Sequence, residues 1–154
     1  MKSLSSPLRI GLVVGGAIGS AWLAQQMTAA AGRTPVPVTR LYSGADGQTH
    51  AEEMDVKFTP RPGGDKYEQA EIVKATSTQV VRAAPGYVQD WHPAPRRQYV
   101  ITISGHGEIE LAGGKKIPMA PGRILLVEDV MGKGHLTRTI GNQDRVSIIV
   151  PLGE

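Results

Sequence analysis

Beyond Thr78 the chain never runs far without a glycine or a proline, and that punctuation decides which folds are open to it. Between the breakers lie short runs of β-branched and aliphatic residues: TQVVRAA, QYVITIS, GEIEL, KIPMA, RILLV and DRVSIIVPL. Runs of this length bounded by turn residues read as strands, because repeated Gly and Pro would break a helix before it closed a few turns. Pro85-Gly86, Gly113-Gly114 and Pro121-Gly122 mark turns between them. Upstream, VTRLYSG and MDVKFT are candidate strands separated by the turn residues SGADGQ, and PRPGGDK is a surface loop. YEQAEIVKAT is ambiguous between a helical turn and a strand. No segment beyond the amino-terminal leader makes a long amphipathic helix. The expected fold class is all-β, a sandwich or small barrel.

Composition agrees. The 19 Gly and 11 Pro among 154 residues follow no period, which suits many tight turns and excludes a collagen-like or solenoid repeat. With one Phe, two Trp and four Tyr, the core must rest on Val, Ile and Leu. The length allows one domain with a real core and not two. The absence of cysteine excludes a disulfide staple and thiolate chemistry.

Residues 1–31 read as a leader. Lys2 and Arg9 precede an uncharged apolar run from Ile10 to Ala24, and Thr28-Ala29-Ala30-Ala31-Gly32 supplies an A-x-A cleavage site ending near Ala31. The alternative is an uncleaved anchor, although the apolar run falls short of the roughly 20 residues of a spanning helix. Either way the domain faces outward: periplasmic or secreted, or membrane-attached only through its first segment. Residues 32–40 read as an extended tether and 41–154 as the domain. The leader holds two of the seventeen basic residues and none of the fourteen acidic ones, so the remainder is close to neutral at a formal +1. That balance offers no basic face for nucleic acid.

The densest chemistry lies in GYVQDWHPAPRRQYVITISG, residues 86–105. His92, Ala94, Arg96 and Gln98 share one parity, so an extended segment would send their side chains to one face. Pro93 and Pro95 take the other parity and suit a barrel rim. Polar groups turned into a small barrel need partners, which a metal ion, a ligand or ordered water would supply. A second histidine, His135, stands in GKGHLT, where Gly132 and Gly134 let the backbone bend close.

Residues 86 to about 139 resemble a cupin domain. The first cupin motif, G-x5-H-x-H-x3-E-x6-G, keeps its spacing here from Gly86 through His92 and positions 94 and 98 to Gly105. In the second, looser motif Gly122 fits the start and His135 the histidine, with Thr139 where asparagine is usual. The resemblance implies a double-stranded β-helix, or jelly-roll barrel, and a homodimer, which would also cover the sheet edges of an open barrel. It also implies a divalent ion, Fe, Mn or Ni rather than Zn. The family's three histidines and one glutamate map onto His92, Ala94, Gln98 and His135. Two imidazoles remain, and the carboxylate has become a neutral amide. His92, Gln98 and His135 are the candidate metal ligands, with His50 of GQTHAEEM as a further nitrogen and Glu52 and Glu53 as nearby carboxylates.

His92 and His135 are the candidate catalytic groups, with Arg96 turned inward to hold an anionic small molecule. Arg138 is a weaker alternative for that role. Glu128 and Asp129 are candidate partners of His135. The plainer reading makes both histidines hydrogen-bonded wall residues, Gln98 a bridge between them, Trp91 a packing residue, and His106 an exposed turn residue. Three functions follow: a metal-dependent small-molecule enzyme such as a dioxygenase or isomerase, a metal-free acid–base enzyme of the epimerase or lyase kind, or a non-catalytic binding module. No nucleophile elbow or phosphate-cradling loop points to a hydrolase or kinase.

Overall fold

The computed structural model describes residues 33–64 and 66–153, and strands are its only regular elements there. In chain order they are β1 (Pro37–Ser43), β2 (Thr49–Asp55), β3 (Thr59–Pro60), β4 (Glu68–Gln69), β5 (Gln79–Ala83), β6 (Val88–His92), β7 (Gln98–Ser104), β8 (His106–Glu110), β9 (Lys116–Met119), β10 (Ile124–Glu128), β11 (His135–Ile140) and β12 (Arg145–Pro151). The leader reading falls on residues outside those described. Residues 35–154 form a compact unit of their own.

One sheet has the order β2-β1-β10-β7-β12-β5, and a second has β6-β11-β8-β9. From β5 onward the chain moves repeatedly between the two. The four strands β5-β12-β7-β10 lie in one and the four strands β6-β11-β8-β9 in the other. This is the strand order of an eight-stranded jelly roll, the double-stranded β-helix. β1 extends the first sheet by pairing in parallel with β10, and β2 returns antiparallel along β1. The expected all-β barrel is the fold observed.

Alternation along the strands decides what faces the interior. Val100 on β7, Ile109 on β8, Ile117 and Met119 on β9, and Leu125 and Val127 on β10 join one buried cluster with Leu41 of β1. Each such side chain contributes about 1.5–3 kcal/mol on burial. The fully buried hydrophobic set contains no aromatic residue, and the single Phe, Phe58, is exposed. On β11 and β12 the same alternation buries polar groups instead: His135, Thr137, Thr139, Arg145 and Ser147. The barrel interior therefore has an apolar wall and a polar one.

Four expectations need correction. The strand placed at MDVKFT lies earlier, over THAEEMD. It is a polar edge strand held by cross-strand pairs, Thr39 Oγ1 to Glu53 at 2.6 Å and Arg40 to Glu52 at 2.8 Å, so apolar alternation does not mark it. YEQAEIVKAT is almost wholly irregular, with only Glu68–Gln69 in a strand. The tether stops at Val36, because β1 already begins at Pro37. Lastly, residues 93–97 are not extended: the chain crosses there from one sheet to the other, and parity is lost between His92 and Gln98.

Candidate functional site

The antiparallel pairing of β6 with β11 sets His92 directly opposite His135. Their ring centroids are 4.6 Å apart and the planes are inclined at 57°. Gly134 makes this approach possible. Its φ is +72°, and a Cβ there would lie 1.9 Å from the carbonyl oxygen of His92. Both imidazoles line a cavity of about 270 Å³ inside the barrel, whose floor is built by Val100, Ile109, Met119 and Val127.

Hydrogen bonding selects the ring nitrogens. His92 Nδ1 lies 2.7 Å from the carbonyl oxygen of Asp90, which can only accept, so Nδ1 carries the proton. His135 Nδ1 lies 2.6 Å from Asp129 Oδ2 and donates to that carboxylate. Asp129 is fully buried and its Oδ2 also accepts from the Thr49 hydroxyl at 2.9 Å, while Oδ1 has no protein partner. In both rings Nε2 is left with its lone pair and without a partner among the described residues. Burial holds the His92 imidazole below its ordinary pKa and the neighbouring His135 adds to this, against the opposing pull of the Asp90 carbonyl and Asp129. His92 is therefore neutral at neutral pH.

Of the sequence candidates, His92, Gln98 and His135 share this cavity. Gln98 is buried there and its side-chain amide makes no hydrogen bond to another described residue, so it does not bridge the histidines. Ala94 is packed in the core, its backbone N–H donating to the Asp129 carbonyl at 3.0 Å. His50 stands apart: it is exposed, pairs with Asp46 at 3.0 Å and stacks on Tyr42. Arg96 is exposed and outside the cavity, a consequence of the sheet crossing at 93–97. Arg138 is held by Glu108 at 3.1 Å and Glu110 at 2.7 Å. Glu52 pairs with Arg40, and Glu53 accepts from Thr39. Trp91 packs under Lys133, whose Nζ sits 4.1 Å from the ring centre, and His106 is exposed at the start of β8. Glu128 and Asp129 part company, with Glu128 clamped by Arg40 and Arg97 and Asp129 turned onto His135.

A catalytic divalent ion typically takes three protein ligands, with carboxylates or imidazoles among them. Here the cavity offers two imidazoles and one amide, and no carboxylate lines it. Among the described residues no group of three His, Cys, Asp or Glu side chains is placed to hold a metal. A guanidinium, Arg145, shares the same cavity. This donor set lacks the charge of the cupin metal set and does not fit a resident divalent ion.

Arg145 is the residue that motif reading missed. It is 5% exposed, its Nη1 donates to Ser147 Oγ at 3.0 Å, and its Nε has no protein partner. Burial lowers its pKa, partly offset by Tyr87. The signal was available in DRVSIIVPL, where Arg145, Ser147 and Ile149 share one parity in a regular strand.

Fold and site together define an eight-stranded jelly-roll barrel with a polar cavity between its sheets. Two solved structures are similar to it. Protein NMB1881 from Neisseria meningitidis is 18% identical with a TM-score of 0.40, over 59% of this chain and 90% of that one. The capsular polysaccharide assembling protein CapF from Staphylococcus aureus is 15% identical with a TM-score of 0.40, over 64% of this chain and 31% of that one. Both likenesses concern architecture only, and no residue role is carried over from either protein. No protein-family model and no curated protein matches the chain.

Proposed function

We propose that this chain is a metal-free small-molecule enzyme that moves a proton at a carbon next to a carbonyl, a chemistry of the epimerase or lyase kind. The observation that carries the reading is the Asp129–His135 pair at 2.6 Å, whose imidazole lines the cavity opposite His92. Asp129 fixes the ring by accepting from Nδ1, so Nε2 is the basic nitrogen. When Nε2 takes the proton, the adjacent carboxylate balances the imidazolium. The proton taken by His135 Nε2 is returned from the same nitrogen to the substrate carbon, and His92, whose burial disfavours the charged ring, offers a neutral Nε2 as an acceptor on the facing strand. Gln98 and Thr137, on the same cavity, are positioned to bind a substrate oxygen. The reading includes export, on the leader in residues 1–31, and a homodimer, supported by the open edge of β5 where Val80 is 70% exposed.

Two measurements test the chemistry. Protein purified without chelator should contain far less than one equivalent of iron, manganese, nickel or zinc. In deuterium oxide it should exchange the α-hydrogen of small carbonyl compounds, and His135→Ala should abolish the exchange. Stoichiometric metal that His135→Ala releases would favour the metal-dependent reading. Saturable ligand binding without exchange or turnover would favour a binding module.

A further inference from the structure

We infer that the cavity binds a small monocarboxylate, whose carboxylate Arg145 receives while the rest of the molecule lies beside the imidazole pair. The inference rests on the reading of this cavity as the working site and names its substrate class.

Arg145 sits at the start of β12 with its side chain 95% removed from solvent, yet no carboxylate among the described residues pairs with it. Its one protein acceptor is the Ser147 hydroxyl, reached through Nη1, and its buried Nε has no partner. An isolated buried charge is costly, so a guanidinium kept in this state calls for an anion. The surroundings are shaped to hold it. Gly107 on β8 presses against it so closely that a Cβ would come within 2.7 Å of Arg145 Cδ and 2.8 Å of Nε. The guanidinium is thus held against the opposite sheet with Nε sealed off, so its Nη groups are the donors that a carboxylate in the cavity can reach.

The cavity's charge balance sets the valence of the anion. The other arginine on its lining, Arg82, is 74% exposed and faces Asp144 at 3.6 Å. His92 is neutral, and the charge of a protonated His135 would be answered by Asp129. Arg145 is the cation on this lining with no carboxylate paired to it, and a single carboxylate answers a single guanidinium. The cavity volume of about 270 Å³ suits a small acid.

The test uses the full chain with acetate, propionate, lactate and benzoate, each beside its uncharged amide, and with inorganic phosphate. Binding is read by thermal shift and by the NMR signals of the Arg145 guanidinium, Nε–H included. At least one carboxylate should bind saturably and move those signals while its amide does not. Arg145→Gln should weaken the carboxylate by on the order of 10- to 100-fold. Arg145→Lys should fall between, and Arg96→Gln should bind as the unsubstituted protein does. His135→Ala should keep the carboxylate and lose only exchange, which separates failure of this inference from failure of the acid–base reading. The inference is overturned if amides bind as well as acids, if phosphate binds more tightly than every carboxylate, or if no carboxylate binds at millimolar concentration. It also falls if Arg145→Gln leaves affinity unchanged. Should Arg145→Gln not fold, the guanidinium response of the unsubstituted protein decides alone.

Discussion

Asp129 and Glu128 are adjacent carboxylates with opposite fates, and both can be tested singly. Asp129 holds the Nδ1 proton of His135, so nitrogen-detected NMR should find both His92 and His135 protonated at Nδ1. A ring bare at Nδ1 would contradict the site. Asp129→Asn removes the balancing charge and should cut α-hydrogen exchange roughly 100-fold or more, in line with the contribution of a positioned acid–base group. Glu128 faces the other way. Burial opposes its charge, but the hydrogen bonds and charges of Arg40 and Arg97 outweigh that and hold its carboxyl below the ordinary glutamate value of 4.5. The folded state therefore binds this proton less readily than the unfolded state. Its contribution is present above about pH 4.5 and is lost as pH falls through the lower folded value. Because Arg40 and Arg97 are partly exposed, Glu128→Gln should cost only about 1 kcal/mol at neutral pH, with a shallower further loss in acid. Urea unfolding at both pH values reads this directly.

At the scale of elements, the site depends on how closely β11 can begin beside β6. Gly134 and Gly141 flank β11 and share positive φ, at +72° and +81°. A side chain at Gly141 meets nothing within 4 Å, whereas at Gly134 it meets the His92 carbonyl oxygen at 1.9 Å. Gly141→Ala should thus cost about 1–2 kcal/mol for the left-handed backbone alone. Gly134→Ala adds a clash with fixed backbone, and we expect a larger loss of stability together with displaced His92 and His135 NMR signals. Equal costs for the two substitutions would mean that the β6–β11 approach is not tight. The same element explains why Arg96 was misread. Parity holds only within a strand, and Pro93 and Pro95 stand in a crossing between sheets, where side chains no longer alternate.

For the whole molecule, the core cluster and both sheets lie within residues 37–151. A chain starting at Pro35 should unfold in one cooperative transition, seen as coincident denaturation curves by circular dichroism and tryptophan fluorescence. The exposed edge of β5 is the natural place for self-association, since unpaired strand groups and the apolar Val80 lie together there. Val80→Lys should turn the proposed homodimer into a monomer by light scattering without lowering its melting temperature. A dimer that survives this change would use another face.

Local information determined most of the fold. Glycine and proline spacing and the β-branched runs from TQVVRAA to DRVSIIVPL specify strands and turns, because dihedral preference and two-residue periodicity act over a few residues. His92, Gln98 and His135 were legible through motif spacing. Tertiary structure alone decided that Asp129 rather than Glu128 reaches His135, that Arg138 and His50 are occupied elsewhere, and that Arg145 is the cation in the cavity. Those outcomes turn on which sheet a strand joins and which charges meet across it. Such pairings link residues far apart in the chain; strand parity in DRVSIIVPL turns Arg145 to the same side as Ser147, but only the packing of the two sheets makes that side the cavity.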